Sequence, residues 1–195
     1  MEWEESVETL LQKYCDESQV REALHRKAYY WYKRALTCFQ LPIIILSALS
    51  GSMQFLSKSY PHLEGTIIIV TAGTSIGVSI ISAVMTYLKL GEYKNKHEVS
   101  QVAWQNFYNT VKHTLSLSRD LRQDSSEFLQ TVKASYDRLF EISPICNQGF
   151  IKAIKKKVRN ATSPEFAIPC YLNGFRHTPV YGRGDEYEEN TPSLH

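Results

Sequence analysis

Charge is missing from two long stretches of this chain. Ala35 to Ser57 runs 23 residues, and Gly65 to Leu88 runs 24, without an Asp, Glu, Lys or Arg. That excludes the amphipathic surface helix of a soluble protein, which keeps charges on one face. Motif cysteines are missing too. The four cysteines (Cys15, Cys38, Cys146, Cys170) are scattered, with no C-x-x-C and no His/Cys cluster at zinc spacing, so free thiols and no metal site are expected. There is no Walker-type loop and no Gly-rich dinucleotide turn, which removes nucleotide cofactors. The six histidines are dispersed, none beside a nucleophile. His97 and His113 read as packing or surface residues. The expectation is a protein that is not an enzyme, with no catalytic residue, no cofactor and no metal. A cleavable signal peptide is not expected either, because the N-terminus is acidic and the first apolar run begins after residue 34.

What is present is apolar length. A helix rises about 1.5 Å per residue, so about 20 residues cross a ~30 Å hydrocarbon core. Both uncharged stretches suffice. The second, with Ile67, Ile68, Ile69, Val70, Ile76, Ile80, Ile81 and Val84, is apolar all round, and each such residue favours insertion by about 0.3–0.6 kcal/mol near the centre of a span. The first carries Gln40, Gln54, Ser47, Ser50 and Ser52 and is the weaker of the two. The reading is an all-α membrane protein built on a two-helix transmembrane hairpin, residues 35–57 and 65–88, joined by a short loop at 58–64.

Charge distribution sets the expected orientation. Arg21, Arg26, Lys27, Lys33 and Arg34 precede the first span, and Lys89, Lys94 and Lys96 follow the second, whereas the loop has only Lys58. Positive charge stays on the cytoplasmic side. Both termini are therefore expected in the cytoplasm, and the sequon Asn160-Ala161-Thr162 is expected to stay unmodified. Tyr29-Tyr30-Trp31-Tyr32 and Tyr87 suit an interfacial aromatic belt. The net charge of only +2, with acidic and basic residues in separate segments, does not fit a nucleic-acid binder.

Outside the hairpin, residues 1–34 read as two helices, 3–14 and 17–34, the first with Val7, Leu10, Leu11 and Tyr14 at helical spacing. Residues 89–159 read as cytoplasmic helices. One runs from Glu92 to about Leu121 with a stripe of Val99, Val102, Phe107, Val111 and Leu115, widened by Trp104 and Tyr108. Asp124 and Glu127 mark a capping box for the next, which carries Phe128, Leu129, Val132, Tyr136, Leu139 and Phe140. Ser143-Pro144 reads as the start of a third. That short helix places Lys152, Lys155, Lys156, Lys157 and Arg159 beside an apolar face of Phe150, Ile151, Ile154 and Val158. It suits either anionic headgroups at the membrane surface or packing on the bundle. The prolines and glycines of 160–195 exclude a long helix, and its aromatic residues suit an extended or disordered tail that docks on a protein partner.

Within the spans the informative residues are small or hydroxylated. Gly73 and Gly77 form a G-x-x-x-G, and Ser47 and Gly51 repeat the spacing. Small residues allow close helix approach, either within the hairpin or between copies of the chain. Ser50, Thr71, Thr74, Ser75, Ser79 and Ser82 are candidates to line a pore. A hydroxyl-lined path needs no intramembrane charge, and two spans enclose a pore only as a homo-oligomer.

The run Phe39-Gln-Leu-Pro-Ile-Ile-Ile-Leu-Ser-Ala-Leu-Ser-Gly-Ser-Met-Gln-Phe55 resembles the SLATT family of two-span membrane proteins. Pro42, Ile44, Leu46, Ser47, Gly51 and Phe55 match the family's first-span signature. Leu88-Lys-Leu-Gly-Glu92, with His97, Val99, Ser100 and Phe107-Tyr108, resembles its exit helix. The likeness covers residues 3 to about 150. It implies a membrane effector of pore-forming type. Without a fused sensor or nucleotide-processing domain, the chain resembles the stand-alone viral copies. The alternative is a structural protein, such as a minor virion component, that links a cellular or viral internal membrane to a protein layer through its helices and tail.

Overall fold

A computed structural model describes residues 3–161. It is all-helical, with α1 (Glu5–Ser59), α2 (Glu64–Tyr87), α3 (Leu90–Ser116), α4 (Ser125–Ile142) and α5 (Gln148–Ala161), and with 3-10 turns at Pro61–Leu63 and Arg119–Leu121. No strand occurs among the described residues. Two helices are long and apolar enough to cross a bilayer, and no residue of their apolar windows is buried. The tail from residue 162 onward lies outside the described residues.

The two expected N-terminal helices and the first span are one helix. α1 is 55 residues long, about 80 Å at 1.5 Å per residue. Nothing between Cys15 and Leu41 is Gly or Pro, so there is no reason for it to stop. Ser18 turns its hydroxyl back onto the Cys15 carbonyl at 2.7 Å rather than capping a new helix. Pro42 lies inside α1. It removes the donor that would pair with the Cys38 carbonyl, yet the helix continues through it.

One stripe runs the length of this helix. Leu11, Cys15, Ser18, Glu22 and His25 are buried on α1, and Tyr29, Tyr32, Leu36, Phe39, Ile43, Leu46, Ser50 and Met53 continue the same 4-3 alternation as half-buried positions. That is the a/d repeat of a coiled coil. Its partner changes along the way. In the polar half α1 packs against α3, whose Leu90, His97, Ser100, Trp104, Phe107 and Val111 are buried. In the apolar half it packs against α2, where Ile67, Thr71, Thr74, Val78, Ile81 and Met85 are the half-buried set.

Between the two partners the register slips at Lys89. This residue is left-handed (φ 49°, ψ 34°), a conformation that costs an L-residue about 1–2 kcal/mol. Its N–H bonds to the Thr86 carbonyl at 3.1 Å, and its carbonyl accepts from Tyr93 at 3.0 Å, starting α3.

Three expectations about the bundle change. Val99 and Val102 are 63% and 53% exposed. The buried stripe of α3 runs instead through His97, Ser100 and Trp104, because the coiled-coil register admits polar residues. Ser143-Pro144 does not start α5. The residue before a proline is held extended, with ψ 130° at Ser143, and the Ser143 hydroxyl accepts Trp104 Nε1–H at 2.9 Å. α5 begins at Gln148, after Asn147, whose side chain accepts from Gly149 N–H at 2.9 Å. Likewise α3 ends at Ser116, and residues 119–121 form only a 3-10 turn. Asp124 does cap α4, accepting from the N–H groups of Ser126 and Glu127.

The core at the far end joins Trp3, Leu11, Cys15, Trp104, Phe107, Val111, Phe128 and Val132. Glu8 fastens its edge, meeting Arg119 at 2.7 Å and Arg122 at 2.5 Å, while Arg122 lies over the Trp3 ring. The Arg119 and Arg122 hydrogen bonds lower the Glu8 pKa from 4.5 to about 2.

Trp104→Ala should cost about 3–5 kcal/mol, and Val99→Ser no more than about 0.5 kcal/mol, in denaturant unfolding of the detergent-solubilised protein. Equal costs would contradict the register. A carboxylate with a lowered folded pKa contributes stability that is present above its unfolded pKa and lost below. The Glu8 contribution is therefore full above about pH 5 and fades as pH falls from 4.5 toward 2. Thermal melts of Glu8→Gln should show a smaller fall in Tm across that window than the wild type.

Candidate functional site

Three places in this architecture carry chemistry beyond packing. The first is the outer face of the hairpin. Ser47, Gly51 and Gly73 are exposed and Gly77 is half-exposed. A Cβ built on Gly51, Gly73 or Gly77 meets no atom of the described residues within 4 Å. These small residues therefore do not serve the α1–α2 contact, which uses the a/d positions instead. The hydroxyl residues divide. Ser50, Thr71, Thr74 and Ser82 are half-buried, whereas Ser75 and Ser79 are exposed.

Residues two apart on a helix point about 200° away from each other. Gly73 and Gly77 thus occupy one flank of the exposed face of α2, and Ser75 and Ser79 the opposite one. Most of these hydroxyls already have acceptors: Thr71 on the Ile67 carbonyl, Thr74 and Ser75 on that of Thr71 at 2.9 and 2.8 Å, and Ser79 on that of Ser75 at 2.8 Å. Back-bonding of this kind lets a hydroxyl reside in an apolar medium.

The second place is where α1 enters its apolar half. Lys27, Trp31, Lys33, Arg34, Cys38 and Phe150 line a groove of about 560 Å³. The Trp31 ring meets Phe150 edge-on at 5.9 Å, which holds α5 at this level. The apolar face of α5 is engaged by α1, with Ile154 packed on Val20 and Leu24. Its basic residues are left outside: Lys152 and Lys156 are exposed and Lys155 is half-buried. The side chains of Lys157 and Arg159 lie outside the described residues.

The third place is polar and buried. His25 and His97 are 2% and 1% exposed, and their Nδ1 atoms are 2.9 Å apart. One ring donates and the other accepts at that distance, so the accepting ring is neutral. Burial, reinforced by His97 and Arg21, pushes the His25 pKa down to about 3, and burial lowers that of His97. Cys146, in the link between α4 and α5, brings its Sγ to 3.8 Å from His25 Nδ1. Burial raises its thiol to about 11. Tyr32 stacks on His97, with ring centroids 5.4 Å apart and planes 15° apart. His113, in contrast, is exposed.

Sequence spacing gave no sign of this trio, because its members lie 72 and 121 positions apart. The one legible signal was register: His25 falls on an a/d position once the stripe of α1 is extended from Leu11, whereas His97 reaches the seam only through the shift at Lys89. No protein-family model, no curated protein and no solved structure matches the chain.

A buried histidine deprived of its partner leaves an unsatisfied polar atom, which costs about 1–3 kcal/mol. His25→Leu and His97→Leu should each destabilise by at least that amount. The double variant should cost clearly less than the sum in a double-mutant cycle of unfolding free energies; strict additivity would show that the rings do not interact.

Proposed function

We propose that this chain is an integral membrane protein whose hairpin of α1 and α2 spans the bilayer with both termini in the cytoplasm. It assembles with copies of itself and acts as a pore-type membrane effector. One observation carries the reading. Beyond the α1–α3 bundle, the two apolar helices project with no residue of their windows buried, and in water such a surface would far exceed what a soluble monomer exposes. A bilayer covers it with the backbone hydrogen bonds made inside each helix, apart from the donor that Pro42 lacks. The basic, aromatic-lined groove around Lys33, Arg34 and Trp31 lies at the level where headgroups belong and supports the cytoplasmic placement.

Assembly through the hairpin is supported by the open glycine ridge. A helix surface with room for a close neighbour, and none among the described residues, is suited to a second copy. The Gly73–Gly77 flank forms the contact between copies. The opposite flank, with Ser75 and Ser79, then faces the lumen, and Thr71 and Ser82 border it. The likeness to the SLATT family supports the same reading and rests on the sequence signature around Pro42, Ser47, Gly51 and Phe55.

Open space beside both glycines makes the test clean. A Cβ at Gly73 or Gly77 meets no atom of the described residues within 4 Å, so the effect of Leu there reports on contacts between copies. The double variant should insert and keep its helical content, yet lose cross-linked oligomers and lose ion flux in liposomes by tenfold or more. Unchanged oligomers and flux would refute the assembly. A well-inserted wild type that conducts nothing would favour instead a membrane anchor for a protein layer.

A further inference from the structure

The buried trio has a use that a hydrogen-bonded pair of rings does not need. We propose that His25, His97 and Cys146 form a binding site for a borderline-soft transition ion of the Zn²⁺ type, which clamps the α4–α5 link onto the α1–α3 pair. This does not rest on the pore reading, because all three residues lie outside the hairpin.

The donor set is the first argument. Two imidazoles and one thiol suit Zn²⁺ or its neighbours, and exclude the oxygen-seeking Mg²⁺ and Ca²⁺. The three donor atoms lie within 4.8 Å of one another. In a tetrahedral site with Zn–N near 2.0–2.1 Å and Zn–S near 2.3 Å, donor separations are about 3.3 Å for N···N and about 3.6 Å for N···S. The observed 2.9 Å between the Nδ1 atoms and 3.8 Å from Cys146 Sγ to His25 Nδ1 bracket those values. Rotamer shifts of a few tenths of an ångström would open the His pair around an ion. Three protein ligands leave a fourth position for water.

The surroundings are the second argument. The stacked Tyr32 ring fixes the plane of His97, as the outer shell of a metal site does. Arg21 is a cation near the trio, and Glu17 holds its guanidinium at 2.8 Å. Glu22 is 8% exposed and stands one helical turn before His25. Neutral imidazoles are ready as ligands without losing a proton. The thiol is not: it must ionise as the S–metal bond forms.

The chemistry balances simply. Two N–metal bonds and one S–metal bond form, the Cys146 proton leaves to solvent, and the ring that carried Nδ1–H takes the Nε2–H tautomer. Nothing is oxidised or reduced. Because Cys146 lies on the link between α4 and α5 while the histidines lie on α1 and α3, the ion would tie elements that otherwise meet through sparse contacts.

The test uses the full chain, purified in detergent, stripped with a chelator and titrated with Zn²⁺ or Co²⁺. One equivalent of Zn²⁺ should bind, release about one proton and raise Tm by several degrees. Co²⁺ should give a thiolate-to-cobalt charge-transfer band. Cys146→Ser, conservative at a half-buried position, should fold normally, lose that band and bind Zn²⁺ at least ~100-fold more weakly. Cys38→Ser and Cys170→Ser should keep the band. His97→Gln should weaken binding as well. Failure of the folded wild type to take up one equivalent would overturn the proposal. So would a band that survives in Cys146→Ser, and the trio would then be a hydrogen-bonded pair with a neighbouring thiol.

Discussion

Everything in this molecule depends on the a/d stripe of α1. It runs from Leu11 to Met53 without a change of phase, through a segment rich in charge and then through one that has none. The helix must therefore present the same seam to two different partners. Against α3 the seam is closed on both sides by α4 and α5, and its residues are buried. Against α2 no other described helix covers it, and its residues are half-exposed. The physical difference between the two halves is the number of helices packed around one continuous axis, and the apolar half offers its outer faces to the surroundings.

Lys89 is the hinge of that arrangement. A straight continuation of α2 into α3 would bring Leu88 and Glu92 to the seam; the left-handed residue shifts the register by two positions, so Leu90, His97 and Trp104 arrive there instead. The strain of one non-glycine residue in that conformation is small beside the burial of Trp104, Phe107 and Val111 that it permits. Polar residues enter the seam just beyond this joint. Ser18, Glu22 and His25 face the level of His97 and Ser100, and buried polar groups of this kind fix register and partner at some cost in stability.

Much of the fold was legible and the reasons for the rest are specific. The helical hairpin follows from two uncharged stretches, and Asp124 as a cap follows from its position before an apolar repeat. The stripe of α3 was misread because Val99 and Val102 are apolar and His97 and Ser100 are not; hydropathy marks burial only where the core is apolar throughout. The seam within the hairpin was invisible for the opposite reason. When every position is apolar, the a/d set has no contrast, and glycines draw attention to a face that the chain itself leaves open. Ser143 misled because a good cap is also a good acceptor, and Trp104 took it. The His25–His97–Cys146 cluster was beyond reach of spacing rules, since it assembles across three elements.

The central claim is that one helix leaves a packed bundle and enters a bilayer. A cysteine scan in liposomes, in a background with the native cysteines replaced by serine, tests it most directly. With an impermeant maleimide, the account predicts labelling at His62→Cys from one side of the membrane only and at Lys94→Cys from the other side only. Ile69, Ile76, Ile80 and Val84, exposed on α2 away from the Ser75–Ser79 flank, should be protected from both as cysteines. Labelling of those four positions from either side, or of His62→Cys and Lys94→Cys from the same side, would contradict it.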